Sequence, residues 1–286
     1  VDIGPVAITP VGPVPAAAIP PAQKVVDTAV DNGAKVARTV VAAEAAPQVA
    51  IINIVNGKQD LTDAAKSTIK SEGAPIGAVG QAVSDTNAAT HDFEIVAAQS
   101  IAGDVGKTAL NIVDGPAQLQ IEFAATTAIE AGEITAGKIS PDRLTAAPLA
   151  AALRTAFNQY KTEAKPMPDA IRAALAPYYP PDILANARWT VSSISLAIPD
   201  LIDQGQKTFE GSDYAVTVGN ITVFSRDPGN NLHWWAHELQ HQVQYSQWGF
   251  DDFAYRYVTS CHVVESDAEA KAQASIPVTP RVAIAC

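Results

Sequence analysis

Apolar positions in the first half of the chain recur at helical rather than strand spacing. Val25, Val26, Val30, Val36 and Val40 stand one to six residues apart with small residues between them, which predicts a helix face. Similar faces are expected around Phe93, Val96, Ile101 and Val105, and around Leu119, Phe123, Ile129 and Ile134. Glycines punctuate this stretch, so residues 24–138 read as several Ala-rich helices broken at glycines. Gly73, Gly77 and Gly80, and likewise Gly103 and Gly106, do not sit in a strand–turn–helix unit, so a dinucleotide-binding loop is not expected. Ahead of the helices, Ile3 to Gln23 carries no charge. Its length alone would suit a membrane span. Pro5, Pro10, Pro13, Pro15, Pro20 and Pro21 argue against a helix there, because each ring removes a donor and clashes with the preceding turn, and an extended polyproline-like arm is expected.

The second half has a different pattern. Leu149, Leu153, Phe157 and Tyr160 mark one helix face, which Pro166 and Pro168 should close. A short helix through Ile171 and Leu175 should stop before Pro177. Arg188 to Ser193 reads as a strand, and Tyr214–Val218 and Ile221–Ser225 flank Gly219-Asn220 as a hairpin. Asp227-Pro228-Gly229-Asn230-Asn231 is a loop whose asparagines can cap the helix that follows. The expected fold class is α+β: an arm over residues 1–23, an Ala/Val/Gly-rich helical region over 24–145, and a small domain over 146–286. That domain would hold a short antiparallel sheet and two further helices.

Composition sharpens this division. Residues 1–150 contain only Phe93 and Phe123 among aromatics, and His91 alone among histidines. His233, His237, His241 and His262 cluster in the second half. The 286 residues carry 30 acidic and 19 basic side chains, a net charge of −11, so no basic surplus is available to neutralise nucleic-acid phosphates or an anionic membrane. No transmembrane span and no nucleic-acid partner are expected. The single methionine is Met167, so Val1 is not a translation start; a removed export signal, or a start upstream of Val1, would account for it. Cys261 and Cys286 are an even pair compatible with a terminal disulfide, which leans toward export; two separate buried thiols are the alternative.

The helix after Asn231 carries His237-Glu238-Leu239-Gln240-His241, an H-E-x-x-H motif. Residues four apart lie one turn above each other, so both imidazoles can bind one zinc ion, while Glu238 can take a proton from a zinc-activated water. Leu232, Trp235, Ala236, Leu239 and Val243 offer an apolar face for burial against the strands. Glu265 is the expected third ligand, with His262 and Asp267 as competitors, and it opens a segment of good helix formers. Glu269, one turn on, is placed to orient a ligating histidine. Chain patterns for a serine nucleophile elbow, a phosphate-binding loop or a Cys-x-x-Cys pair are absent.

This ligand pattern resembles the gluzincins, the thermolysin-like peptidases. The run Ala236 to Tyr245, with Trp248-Gly249, Phe253-Ala254, Arg256-Tyr257 and Glu265-x-x-Ala268, is similar to a metallopeptidase domain of unknown function. That domain occurs in secreted bacterial proteins and in cargo of contractile injection systems. The likeness runs from about Leu149 to Ala274 and includes Tyr178 to Leu184 and Arg188-Trp189. It implies a zincin-like fold with zinc as cofactor, a peptide or protein substrate, and a secreted, periplasmic or cell-envelope location in a bacterium. A donor for the developing oxyanion would then be Tyr257, with His262 and His233 as second and third candidates. Trp234, Trp235 and Trp248 are expected to pack, and Arg256 to be solvated or paired. The rival expectation is a non-catalytic assembly or envelope scaffold, a homo-oligomer through the N-terminal helices, carrying a structural or degenerate zincin domain.

Overall fold

A computed structural model describes residues 19–55, 58, 61–192 and 214–276. Most of the expected arm, the end of the strand at Ser193, and Cys286 with its proposed link to Cys261 lie outside the described residues. Two long helical stretches fill the first half, α1 (Ile19–Val55) and α2 (Leu61–Thr135). The expected arm therefore yields to helix before Lys24. Pro20 and Pro21 fall in the first turn of α1, where the missing N–H groups have no intrahelical partner to lose.

Gly73, Gly77 and Gly80 lie within the helical stretch of α2 without interrupting it. A straight helix would hold Gly73 and Gly132 roughly 90 Å apart, yet a Cβ on either would collide with the other's backbone. Ser84 and Asn87 likewise reach Glu122. The chain thus reverses direction between His91 and Gln118, and its two halves pack antiparallel. Glycine is where they touch: a Cβ on Gly80 would stand 2.6 Å from the Ala125 carbonyl oxygen.

Beside Ala89, Ile95 and Ala125, the buried residues of α2 include a polar row. Gln118, Glu122, Thr126 and Glu130, spaced one turn apart, are all buried, whereas Phe123 is 44% exposed and does not form the expected core face. Glu122 accepts from Ser84 Oγ at 2.8 Å and from Asn87 Nδ2 at 2.9 Å. Gln118 abuts the buried His91 ring. On α1, Asn32 Nδ2 donates to the Ala82 carbonyl at 3.2 Å, while Val26 and Val30 face outward. Asp92 ties three elements, taking Lys24 and Lys161 ammonium groups at 2.8 Å each. Among the described residues no helix is long and apolar enough to cross a membrane.

The second half is α+β. A 3-10 turn (Pro141–Ala146) leads into α3 (Ala147–Tyr160), followed by β1 (Lys165–Pro166), α4 (Asp169–Leu175), α5 (Pro181–Asn186), β2 (Arg188–Val191), β3 (Ala215–Val218), β4 (Ile221–Phe224) and α6 (Leu232–Ser275). α3 ends before the prolines expected to stop it, and Pro166 takes an edge-strand position, where no ladder donor is needed. The sheet order is β1-β2-β4-β3. β3 and β4 form the expected hairpin, with Gly219 at φ 61° in its turn. A side chain at Gly219 would also press on Phe157 and Phe250 at 3.1 Å. The sheet is mixed rather than antiparallel, because β2 pairs parallel with β4. The hairpin folds back so that β4 lies between β2 and β3, which sets β4 parallel to β2 and leaves β3 antiparallel to both.

α6 lies across this sheet between two apolar clusters. Leu153, Tyr160, Val218, Ile221, Val223, Tyr245 and Phe253 form one. Met167, Leu175, Tyr179, Phe224, Trp234, Trp235 and Leu239 form the other. α6 is not one straight rod: Gly249 (φ 71°) and Ser260 (φ −155°, ψ 45°) leave helical geometry and divide it into three pieces. The positive φ at Gly249 is a conformation that costs a side-chain-bearing residue dearly. The two turns bring the third piece back alongside the first.

Candidate metal centre

The first piece of α6 starts at an Asn231 cap, whose side chain accepts from the Trp234 N–H at 3.2 Å. Trp234 and Trp235 pack edge-on against Phe224, and Tyr179 donates to the Ala236 carbonyl at 2.7 Å. With one side of the helix anchored in this way, His237 and His241 project from another, both buried.

Their Nε2 atoms lie 3.3 Å apart. Glu265 Oε2, from the third piece of α6, sits 3.2 Å from His237 Nε2 and 3.5 Å from His241 Nε2. Ligand atoms around a tetrahedral zinc with bonds of about 2.0–2.2 Å are separated by roughly 3.3–3.5 Å. The triangle thus has the edges such an ion requires. These three residues are the one metal-capable group of His, Cys, Asp or Glu among the described residues.

The opposite ring nitrogens reinforce this. His241 Nδ1 faces Gln244 Oε1 at 2.8 Å and His237 Nδ1 faces Glu269 Oε2 at 3.4 Å. Both partners are acceptors, so each Nδ1 carries a proton and each Nε2 is the nitrogen turned toward Glu265. The two Nε2 atoms and Glu265 Oε2 therefore face one point, which a shared proton or a metal cation can occupy. Burial alone would pull the His241 imidazole down, but Glu265 outweighs it and pushes the group up to about 9. Glu265, which burial would raise, is held well below the usual carboxylate range by the two imidazoles. The donor set fits a zinc ion.

Glu238 is buried on the neighbouring row of the helix and accepts from Thr217 Oγ1 at 2.8 Å. Tyr257 lies at the centre: burial first, and then the charge of Glu265 and a hydrogen bond to it, hold its hydroxyl above the ordinary range. Glu269 takes the expected supporting position, bridging His237 to His233, whose Nε2 is 3.2 Å from Glu269 Oε1. His262 is exposed and outside the group, and Asp267, the other competitor for third ligand, instead accepts from Gln240 and Gln244 at 2.9 Å each. Trp248 packs near Phe253 under the Arg256 guanidinium, 4.6 Å from its ring centre.

Two contributors escaped the sequence reading. Gln244, which orients His241, sits three residues after it, a spacing that places both on one face. Thr217 had a weaker signal, as one of two hydroxyls, with Thr222, in the strands of an apolar hairpin. No protein-family model, no curated protein and no solved structure matches this chain.

Proposed function

We propose that the protein is a secreted bacterial zinc metallopeptidase of the gluzincin kind. The observation that supports this most strongly is the triangle of His237 Nε2, His241 Nε2 and Glu265 Oε2, with edges of 3.2 to 3.5 Å. Zinc, when bound there, supplies Lewis acidity toward a peptide carbonyl and toward water. Glu238 serves as general base for the attacking water and passes the proton to the leaving amine. Tyr257 donates its hydroxyl to the developing oxyanion. Glu269 and Gln244 hold the two imidazoles in the tautomer that leaves Nε2 free.

Elemental analysis of the purified chain should find about one equivalent of zinc, and His237→Ala should abolish it. Glu238→Gln should keep the zinc and lose cleavage of a broad peptide library. A native protein that refuses zinc sinks the whole reading. A zinc-loaded protein as inert as Glu238→Gln leaves only a structural metal.

A second reading, assembly through the N-terminal helices, draws on a groove between α1 and α2 lined by Gly33, Val36, Val79, Val83 and Ile121. Val79 and Val83 are exposed beside it.

A further inference from the structure

Four polar side chains behind the centre form a chain of hydrogen bonds that ends on Glu238. Gln242 Nε2 donates to Thr222 Oγ1 at 3.1 Å. Thr222 Oγ1 is 2.9 Å from Thr217 Oγ1, and Thr217 Oγ1 is 2.8 Å from Glu238 Oε2. All four residues are buried. Glu238 only accepts, through Oε2 at 2.8 Å and through its main-chain carbonyl at 3.3 Å, so Thr217 spends its single proton on Glu238, with the shorter contact to Oε2; Thr222 must then donate to Thr217, and Gln242 to Thr222. The direction of the whole chain is set by its last member.

The pattern that builds it is visible in the two elements. Thr217 and Thr222 are direct cross-strand partners in the β3–β4 hairpin, so both point to the same face of the sheet. Glu238 and Gln242 are four apart on α6 and make a second row beside the His237–His241 row. The ligand row faces Glu265, and the Glu238–Gln242 row faces the two threonines. The threonines' neighbours Val218 and Val223 are fully buried and apolar, and valine in place of either threonine would fill nearly the same volume without a hydroxyl to satisfy. Four buried polar groups contribute little net stability over such a packing, so stability does not account for them.

We propose that Thr217, backed by Thr222 and Gln242, is the positioning residue for Glu238: it holds Oε2 and leaves the other carboxylate oxygen to work. The inference rests on Glu238 being the general base, and its test separates the two claims. Three measurements are made on the full chain loaded with zinc: zinc content, steady-state cleavage of a peptide, and the Thr217 hydroxyl proton by NMR of selectively labelled protein.

Thr217→Val should keep its zinc and lower kcat about ten- to hundredfold with KM nearly unchanged. Thr217→Ser should restore kcat, since it restores the donor. Thr222→Val should cost less than Thr217→Val, and Gln242→Leu least. The Thr217 hydroxyl proton should exchange slowly and shift when Glu238 becomes Gln. Wild-type kcat in a zinc-loaded Thr217→Val overturns the proposal, and so does a Thr217→Ser as slow as Thr217→Val. A hydroxyl signal indifferent to Glu238→Gln also overturns it. If the wild type cleaves nothing while that signal does respond, the hydrogen-bond chain stands and the peptidase reading falls.

Discussion

Glu130 buries both carboxylate oxygens without a hydrogen-bond partner for either among the described residues. Burial first, and then the nearby Asp251, raises its acid to about 7, against the opposing pull of Arg143 and Arg154. The folded state therefore holds this proton more tightly than the unfolded chain does. Its stabilising effect is complete below the unfolded value near 4.5 and is lost as pH rises through about 7. Glu130→Gln should leave urea stability near pH 4 almost unchanged and raise it by about 1–3 kcal/mol at pH 8. An equal change at both pH values would refute this. Around the metal group, the residues that hold the ligands differ in kind from the ligands. His237, Glu238, His241 and Glu265 were legible because ligand chemistry restricts residue type and spacing together. Gln244 and Thr217 act only through hydrogen bonds, a task that many residue types perform, so nothing in the sequence set them apart.

Among elements, α2 shows why a hydrophobic pattern misleads in a helical hairpin joined by small residues. Its inner face includes Gln118, Glu122, Thr126 and Glu130, which period-based reading assigns to solvent. Those side chains are tolerable inside because partners on the opposite half, and Arg154 on α3, meet Glu122 and Thr126. Glycine in a helix costs only about 1 kcal/mol relative to alanine, too little to end a helix that gains close packing in return. Gly80→Ala should force the two halves of α2 apart and lower stability by about 1–3 kcal/mol in urea unfolding; unchanged stability would mean that the close approach is not needed. The hairpin, the caps and the short helices of the second half were readable because turn and cap chemistry is local. The parallel pairing of β2 with β4 was not, since it depends on which edge of the hairpin docks against β2, which no local signal encodes.

At the scale of the whole molecule, the two halves are joined by charge as well as by chain. Arg154 Nη2 reaches Asp251 at 2.6 Å while its Nη1 holds Thr126, so α3 links α2 to the middle piece of α6. The outer side of α1 and α2 carries Val26, Val30, Ile76, Val79 and Val83 in the open, each more than a third exposed. A net charge of −11 opposes self-association, so any oligomer has to form where this apolar surface outweighs repulsion. If it does, light scattering of the full chain should show a multimer that Val30→Glu with Val83→Glu reduces to monomer, with zinc binding untouched. A monomeric wild type would remove the assembly reading.

The interruptions at Gly249 and Ser260 have a consequence for how the centre comes together. Its two histidines and its glutamate all belong to one contiguous 44-residue segment of the chain, so none of the three ligands is contributed by a distant strand or helix. His237 and Glu265 are separated by 28 positions, a loop whose closure entropy grows only slowly with length. The ligand set is thus a property of a short contiguous piece of chain, able to assemble early and locally.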